Sequence, residues 1–356
     1  MKTWVTFENL HTAYLDCRKR KSHTLNHLRF FYNLEENLLK LEGELASRTY
    51  RPGRSIAFVV EKPKIREIFA AEFRDRVVHH LLYNYLSPYY DRLFIYDSWA
   101  CRKNKGTHRA MARIKRFVFE IERERERSGA AGPNYYLKMD IKSFFTTIDK
   151  EILYGLIAKK IKNEEILWLA KTIIMYDPAH DIPPKIQSRP SLFERLPSEK
   201  SLFRVAKGKG LPIGNLTSQF FANVYLNELD QFVKHTLKAK RYVRYVDDFL
   251  IIEPDRATLE RFKAEITGFV REKLALTVHP DKQIVRPLSD GIDFVGYIVK
   301  PGYVLIRKRI VWEWRRKLET VPRASAGRAK EIMESYAAHA RWANAFWLLQ
   351  KFGSRG

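Results

Sequence analysis

The sequence predicts an α+β fold on three observations. Stretches at 25–46, 73–86, 215–233 and 257–274 carry apolar side chains at helical spacing. Short β-like runs lie among them, at 55–60, 135–141, 241–252 and 292–306. Strand, helix and hairpin therefore alternate along the chain, around a small set of acidic residues. At 356 residues and 45% hydrophobic, the chain is long enough to bury a substantial core.

Charge narrows the partners. Lys and Arg number 65 against 41 Asp and Glu, a formal charge of +24. That excess exceeds what solubility needs and points to a polyanion, nucleic acid ahead of a membrane surface or an acidic protein. The basic residues run from Arg18-Lys19-Arg20-Lys21 through Arg307-Lys308-Arg309 to Arg315-Arg316-Lys317, a long track and not a tail. No run of about 18 uncharged apolar residues is present, so the expectation is a soluble, cytoplasmic protein with no membrane partner. Cys17 and Cys101 sit in no CxxC or Cys/His cluster. They are expected to be partly buried free thiols, without a disulfide framework or a structural zinc.

The elements follow in order. Residues 25–46 predict an N-terminal helical layer, ended by Tyr50-Arg51-Pro52-Gly53. Ser55 to Val60 is β-like and leads into Glu61-Lys62-Pro63-Lys64-Ile65-Arg66, read as an exposed hairpin arm; Phe73 to Leu86 returns to helix. The alternating charges of 121–127 run into Gly129, Gly132 and Pro133, a solvated helix end followed by a turn. Tyr135 to Ile141 alternates as a half-buried strand does, with Tyr136, Lys138 and Asp140 on one face. Residues 176–210, rich in proline, serine and charge, read as an irregular functional loop. Asn215 to Val233 predicts a buried helix and Arg241 to Ile252 a hairpin. Ala257 to Leu274 predicts an amphipathic helix with Leu259, Phe262, Ile266, Phe269 and Val270 inward. Ile292 to Val299 with Tyr303 to Ile306 suggests a further hairpin, and a basic, tryptophan-bearing helical tail follows from Val311.

The chemistry centres on Tyr245-Val246-Asp247-Asp248, which falls between two β-like runs and so at a hairpin tip. On its own the tetrapeptide could be a turn with two helpful Asx side chains. Joined by Asp140 near a strand end, however, the two aspartates would form a set of mutually repelling carboxylates. Such a set calls for a divalent cation, and hard oxygen ligands select Mg2+ or Mn2+. Two such ions suit in-line phosphoryl transfer from a nucleoside triphosphate to a primer hydroxyl. Asp149 has a simpler reading as a helix N-cap. His79 and His80 are adjacent, point apart on a helix, and read as packing residues.

The order of basic hairpin, strand aspartate, glycine-bounded turn, helix, aspartate hairpin and basic tail resembles reverse transcriptases. Lys138-Met139-Asp140-Ile141-Lys142-Ser143-Phe144-Phe145 resembles the first palm motif and Tyr245 to Asp248 the second, with similarity over about residues 50 to 310. The resemblance implies a right-hand polymerase with an antiparallel palm sheet, fingers and a short helical thumb. It implies Asp140, Asp247 and Asp248 as catalytic metal ligands, with the Ile141 carbonyl as a further oxygen and two Mg2+ ions (or Mn2+) as cofactors. Lys62 and Arg66 are similar to the cations that clasp an incoming triphosphate, although a solvated charged turn would look the same. Phe145 is similar in position to the aromatic ring that excludes a 2′-hydroxyl, while core packing suits Phe144 better. Lys282 matches a lysine that protonates departing pyrophosphate, although an isolated surface lysine would look the same, and Phe294-Val295-Gly296-Tyr297 resembles a primer-gripping motif, with an ordinary strand turn as the alternative.

The stretch Gly210-Leu211-Pro212-Ile213-Gly214-Asn215-Leu216-Thr217-Ser218-Gln219 departs from many relatives and resembles the reverse transcriptases of diversity-generating retroelements. Phe73 to His80, Asp97 to Arg102, Gly106 to His108 and Lys200 to Phe203 look like the same subfamily. The implication is a bacterial or phage enzyme that copies a template-repeat RNA and misincorporates opposite adenine. Its partners would be template RNA, the cDNA/RNA hybrid, deoxynucleoside triphosphates and an accessory variability protein. Ile213 and Gly214 would face the nucleotide, Ile213 standing where accurate relatives carry a glutamine. The expected lobes are 1–115 (helical layer and fingers), 116–165 (palm), 166–215 (fingers loop), 216–303 (palm) and 304–356 (thumb). The alternatives are a retron or group II intron-type reverse transcriptase, or a polymerase-like protein that binds RNA without catalysis.

Overall fold

Turn chemistry and apolar spacing set the boundaries of the elements. The computed structural model describes residues 3–19, 23–321 and 326–353; Arg20 and Lys21 of the first basic run lie outside them. In chain order come α1 (Phe7–Arg18), α2 (Leu25–Tyr32), α3 (Leu34–Ala46), β1 (Ile56–Val60), β2 (Arg66–Ala70), α4 (Phe73–Leu93), α5 (Thr107–Ser128) and β3 (Tyr135–Asp140). Then follow α6 (Phe144–Thr147), α7 (Lys150–Lys160), α8 (Glu164–Met175), β4 (Lys185–Ile186), α9 (Pro190–Glu194) and α10 (Leu216–Gln231). The remainder is β5 (Arg241–Tyr245), β6 (Asp248–Glu253), α11 (Arg256–Leu274), β7 (Ile284–Pro287), β8 (Ile292–Phe294), β9 (Tyr297–Lys300), β10 (Tyr303–Ile306), α12 (Lys308–Glu319), α13 (Ala326–Ala340) and α14 (Phe346–Gly353). The fold is mixed α+β, and none of the described helices is long and apolar enough to cross a membrane.

The chain forms two compact units. The first comprises Met1–Ile95, Ile141–Leu229 and Phe269–Thr277. Its expected helical stretch at 25–46 is two helices, because Asn33 leaves helical geometry (φ −119°, ψ 49°) between α2 and α3. β1 and β2 form an antiparallel hairpin with Val60 opposite Arg66, and its turn carries a cis Lys62-Pro63 bond. α4 continues beyond the expected Leu86 to Leu93, burying Tyr90 in the added turns as it buries Leu81, Leu82 and Leu86 before them. The 176–210 segment is more ordered than its composition suggests. β4 adds to β1 in parallel, α9 and two 3-10 turns follow, and the buried Glu67 carboxylate of β2 accepts from Ser201 Oγ (2.9 Å) and the Leu202 N–H (2.6 Å).

The second unit comprises Tyr96–Asp140, Asp230–Gly268 and Val278–Gly356. Its centre is a four-stranded sheet in the order β5-β6-β3-β7, all neighbours antiparallel. β3 is thus an interior strand, and Tyr136, Leu137 and Met139 are buried on both of its faces, where the sequence predicted one half-buried face. α5 covers one face: Ala110, Met111, Ile114, Phe117, Val118 and Ile121 recur at helical spacing and pack with Tyr136, Val243, Leu250 and Ile252. Gly129, in the left-handed conformation (φ 64°), ends α5.

Two details correct the sequence reading. Residues 292–306 form a three-stranded antiparallel sheet, β10-β9-β8, because Val295 (φ 43°) and Gly296 (φ 94°) turn the chain where an unbroken strand was expected. On α11, Leu259, Phe262, Ile266 and Val270 are buried, but Phe269 is only half-buried, since it lies off the stripe those four define.

Candidate active site

Strand register brings the acids together in the second unit. Asp140 ends β3 and is the Cα partner of Asp248, which opens β6. Asp248 also pairs with Tyr245 on β5, so Val246 and Asp247 are the two connecting residues of a tight hairpin. Such connections need positive φ, and Val246 supplies it at φ 57°, an uncommon conformation for a β-branched residue. Asp247 therefore stands at the tip, next to the Asp140–Asp248 rung.

Two lysines answer the acids. Lys282 Nζ lies 3.0 Å from Asp140 Oδ1, and the His279 N–H donates to the Asp140 carbonyl at 2.8 Å, which anchors the turn that carries Lys282. Lys138 Nζ lies 3.3 Å from Asp248 Oδ2 and donates to the Asp293 carbonyl at 2.7 Å. The sequence reading placed Lys138 on the Asp140 face without giving it a role. Its signal was the spacing of two residues, which puts a cation and an acid on the same side of one strand.

Asp248 Oδ1 is buried and has no hydrogen-bond partner among the described residues. Burial pushes the Asp248 carboxyl up to about 7; Lys138 works against that rise, and the Asp140 and Asp247 charges add to it. An orphaned, hard carboxylate oxygen beside two further acids is the donor set that a divalent cation satisfies. The acids are open and not caged: among the described residues no three His, Cys, Asp or Glu side chains are already gathered as a metal cluster. The donors therefore fit a cation held jointly with other oxygen ligands, as Mg2+ is usually held.

The first unit carries the remaining candidates. Lys62 and Arg66 are exposed at the β1–β2 turn. Ile141 is buried. Phe144 is buried (2% exposed), whereas Phe145 is half-buried with its ring 5.5 Å from that of Phe144. The 210–214 turn is fastened on both sides. The Leu211 N–H donates to the Phe145 carbonyl (2.7 Å), and the Phe69 N–H donates to the Ile213 carbonyl (2.8 Å). Ile213 is half-buried and Gly214 exposed. Gly214 (φ 129°) has no room for a side chain, because a Cβ would stand 2.7 Å from the Phe69 carbonyl oxygen and 2.9 Å from Ile68 Cγ2. Phe145, Ile213, Gly214 and the hairpin that bears Arg66 thus share one hydrogen-bonded framework.

Other residues take structural roles. Asp149 caps α7, accepting from the Glu151 and Ile152 N–H groups. His79 is buried, 3.5 Å from Thr217 Oγ1, and burial drives its imidazole down to about 3. Within Phe294-Val295-Gly296-Tyr297, Gly296 holds φ 94°, a left-handed conformation that favours glycine at this strand turn. Cys17 is buried, Cys101 is exposed, and neither forms a disulfide.

An aspartate hairpin joined to a strand aspartate, within an α+β chain of strongly basic charge, marks a class of nucleotidyl-transferring proteins. Residues 60–299 match the reverse transcriptase (RNA-dependent DNA polymerase) family, and the chain belongs to that family. It is 25% identical over 321 residues to protein YkfC of Escherichia coli, an alignment covering 80% of this chain and 75% of that protein. It is 22% identical over 331 residues to the group II intron-encoded protein LtrA of Lactococcus lactis, covering 75% of this chain and half of LtrA. The solved structure of apo telomerase from Candida tropicalis, truncated from its C-terminal domain, aligns at a TM-score of 0.48 and 14% identity over 71% of this chain and 55% of its own.

Proposed function

We propose that this chain synthesises DNA on an RNA template at Asp140, Asp247 and Asp248, and that it is the reverse transcriptase of a diversity-generating retroelement. The observation that carries the catalytic reading is the Asp140–Asp248 rung with Asp247 at the adjoining hairpin tip. In this reading the polymerase is a right hand: palm at 116–165 and 216–303, fingers at 1–115 and 166–215, thumb at 304–356.

Asp140, Asp247 and Asp248, with the Ile141 carbonyl, would hold two Mg2+ ions. When bound, these supply Lewis acidity at a primer 3′-hydroxyl and neutralise charge on the departing pyrophosphate. The chain's own groups do the rest. Lys62 and Arg66 bind the triphosphate, with a point charge and a planar fork respectively. Phe145 excludes the 2′-hydroxyl. Lys282 carries a proton on Nζ that the leaving pyrophosphate can take up. Template RNA, the cDNA/RNA hybrid and deoxynucleoside triphosphates are the partners, met by a charge of +24.

The retroelement assignment rests on the 210–219 stretch and on the fingers segments that resemble that subfamily. It adds a template-repeat RNA, misincorporation opposite adenine and an accessory variability protein. The likeness to LtrA favours a second reading, a group II intron-type reverse transcriptase without that bias at adenine.

Primer extension on RNA with purified protein tests the first claim. Extension should require Mg2+ or Mn2+, stop on chelation, and be abolished by Asp247→Ala; synthesis that survives this substitution places the centre elsewhere. Sequencing the cDNA made with and without the accessory protein tests the second. Errors concentrated at template adenines support the retroelement reading, and an even error spectrum supports the intron-type one.

A further inference from the structure

One step behind the aspartate hairpin lies a charged network with no exposed surface. Arg244 and Asp230 are both completely buried, and the guanidinium grips the carboxylate twice, Nε to Oδ1 at 2.7 Å and Nη2 to Oδ2 at 2.6 Å. Tyr242 donates its hydroxyl to the same Oδ1 at 2.8 Å. Nη2 also donates to Ser98 Oγ at 3.1 Å, and Nη1 donates to the Val246 carbonyl at 3.0 Å. The backbone is held as well: the Arg244 N–H donates to the Asp97 carbonyl (3.0 Å) and the Trp99 N–H to the Arg244 carbonyl (2.9 Å).

Burying an ion pair is a poor route to stability, since apolar residues of similar volume often do better. What an apolar pair could not provide is a donor aimed at the inside of the hairpin tip. Val246 holds a left-handed conformation that a β-branched residue resists, and such strain persists only where the surroundings over-determine it. The Nη1 bond on the Val246 carbonyl is one such restraint. Its rigidity derives from Asp230, which fixes the plane of the guanidinium fork. The residue carried on that turn is Asp247.

We infer that Arg244, locked by Asp230, is a positioning residue that sets the turn at Val246 and hence the direction of the Asp247 carboxylate. The inference rests on the proposed catalytic role of Asp247. It predicts that the network can be removed without losing the fold but not without losing the aim of the acid.

The test pairs two variants with one control. Arg244→Met/Asp230→Leu replaces the ion pair by apolar volume and leaves no stranded charge. Arg244→Lys keeps a cation beside Asp230 but cannot reproduce the fork, and it decides the question if the double variant does not fold. Steady-state primer extension, the thermal midpoint and Mn2+ binding to the nucleic-acid-free protein by electron paramagnetic resonance are measured on each. The expected result for the folded double variant is a kcat lower by about 100-fold with an unchanged nucleotide KM, the scale of a small misplacement of a reacting group. Its Mn2+ affinity should fall by about tenfold, as when support behind a metal ligand is lost. Arg244→Lys should show the same split in smaller measure. Wild-type kcat and Mn2+ affinity in whichever variant folds would overturn the inference, as would a loss seen only in KM. Asp247→Ala separates the two claims: undiminished extension in that control removes the catalytic reading itself, whereas an inactive control beside a fully active network variant removes only the positioning role.

Discussion

Asp140 and Asp248 share one rung of an antiparallel sheet, so two acids of like charge face each other where burial already disfavours ionisation. Opposed like charges destabilise a strand pair. Without a metal ion, that cost falls on the protein, offset only in part by Lys138 and Lys282.

Asp248→Asn should therefore stabilise the protein in chelator while eliminating synthesis. The folded-state pKa of Asp248, about 7, lies above the ordinary 3.8, so the folded state binds the proton more tightly than the unfolded state does. Stability from this group is complete below the lower value and is lost as pH rises through the upper one. At neutral pH and above, the substitution should recover on the order of 1–3 kcal/mol, checked by urea denaturation in EDTA. No gain in chelator would mean that Lys138 already neutralises the site.

Phe144 is buried and Phe145 half-buried, so the two rings allow packing to be separated from the proposed sugar selection. Phe144→Ala should cost about 3–5 kcal/mol, as for other fully buried rings. Phe145→Ala should cost clearly less and should admit ribonucleotides, read as ribonucleotide incorporation alongside the denaturation midpoint. Equal destabilisation by both, without a change in sugar selection, would make Phe145 a core residue.

His79 gives the first unit an acid-sensitive point. Its folded pKa of about 3 lies below the ordinary 6.5 of histidine, so the unfolded chain takes up the proton first and stability falls as pH drops from 6.5 towards 3. His79→Gln can still reach Thr217 and has no proton to gain. The variant should flatten the decline between pH 6.5 and 5, above the range where most carboxylates titrate; identical slopes in that window would contradict this.

Where local pattern decided structure, the sequence was readable. The β5–β6 hairpin, the β3 strand and the inward stripe of Leu259, Phe262, Ile266 and Val270 on α11 follow from alternation and helical spacing, and Asp149 from capping chemistry. Long-range geometry was not readable. Nothing local marks Lys138 as the partner of Asp248, because that pairing depends on the β3–β6 register. Arg244 read as one more cation on a strand, since its partner Asp230 lies on a different element. Glu67 likewise gave no sign that it would be buried to hold residues 201 and 202. At Phe294-Val295-Gly296-Tyr297 the glycine left an ordinary strand turn open, but the β-branched Val295 argued for continued strand and gave no sign that it would itself take a positive φ.

Gly214→Ala tests the framework around the candidate nucleotide site. The new methyl would press on the Phe69 carbonyl and Ile68, at a φ that alanine resists. A cost of about 1–3 kcal/mol is expected. Because the strain falls on β2, which begins at Arg66, the nucleotide KM should rise more than kcat falls. A lower kcat at constant KM would argue that the turn serves the acids and not the nucleotide.

Ile213 is the position where fidelity can be tested directly. Its carbonyl is fixed by the Phe69 N–H, so a substitution there changes the side chain and leaves the backbone path in place. Being half-buried, the position can take a longer polar side chain without stranding its amide from water. An apolar group offers no hydrogen bond to a nucleotide sugar, whereas a glutamine amide offers both a donor and an acceptor, and sites that hydrogen-bond a ligand discriminate most sharply. Ile213→Gln should therefore lower misincorporation opposite template adenine, by about tenfold if one such bond is gained. Errors at the other three bases should change little, and folding stability should be unaffected within about 0.5 kcal/mol, as for most substitutions away from the core. Deep sequencing of cDNA from both enzymes measures the effect. An adenine error rate that does not move, in a variant that folds and extends normally, would show that the Ile213 side chain does not govern fidelity at template adenine.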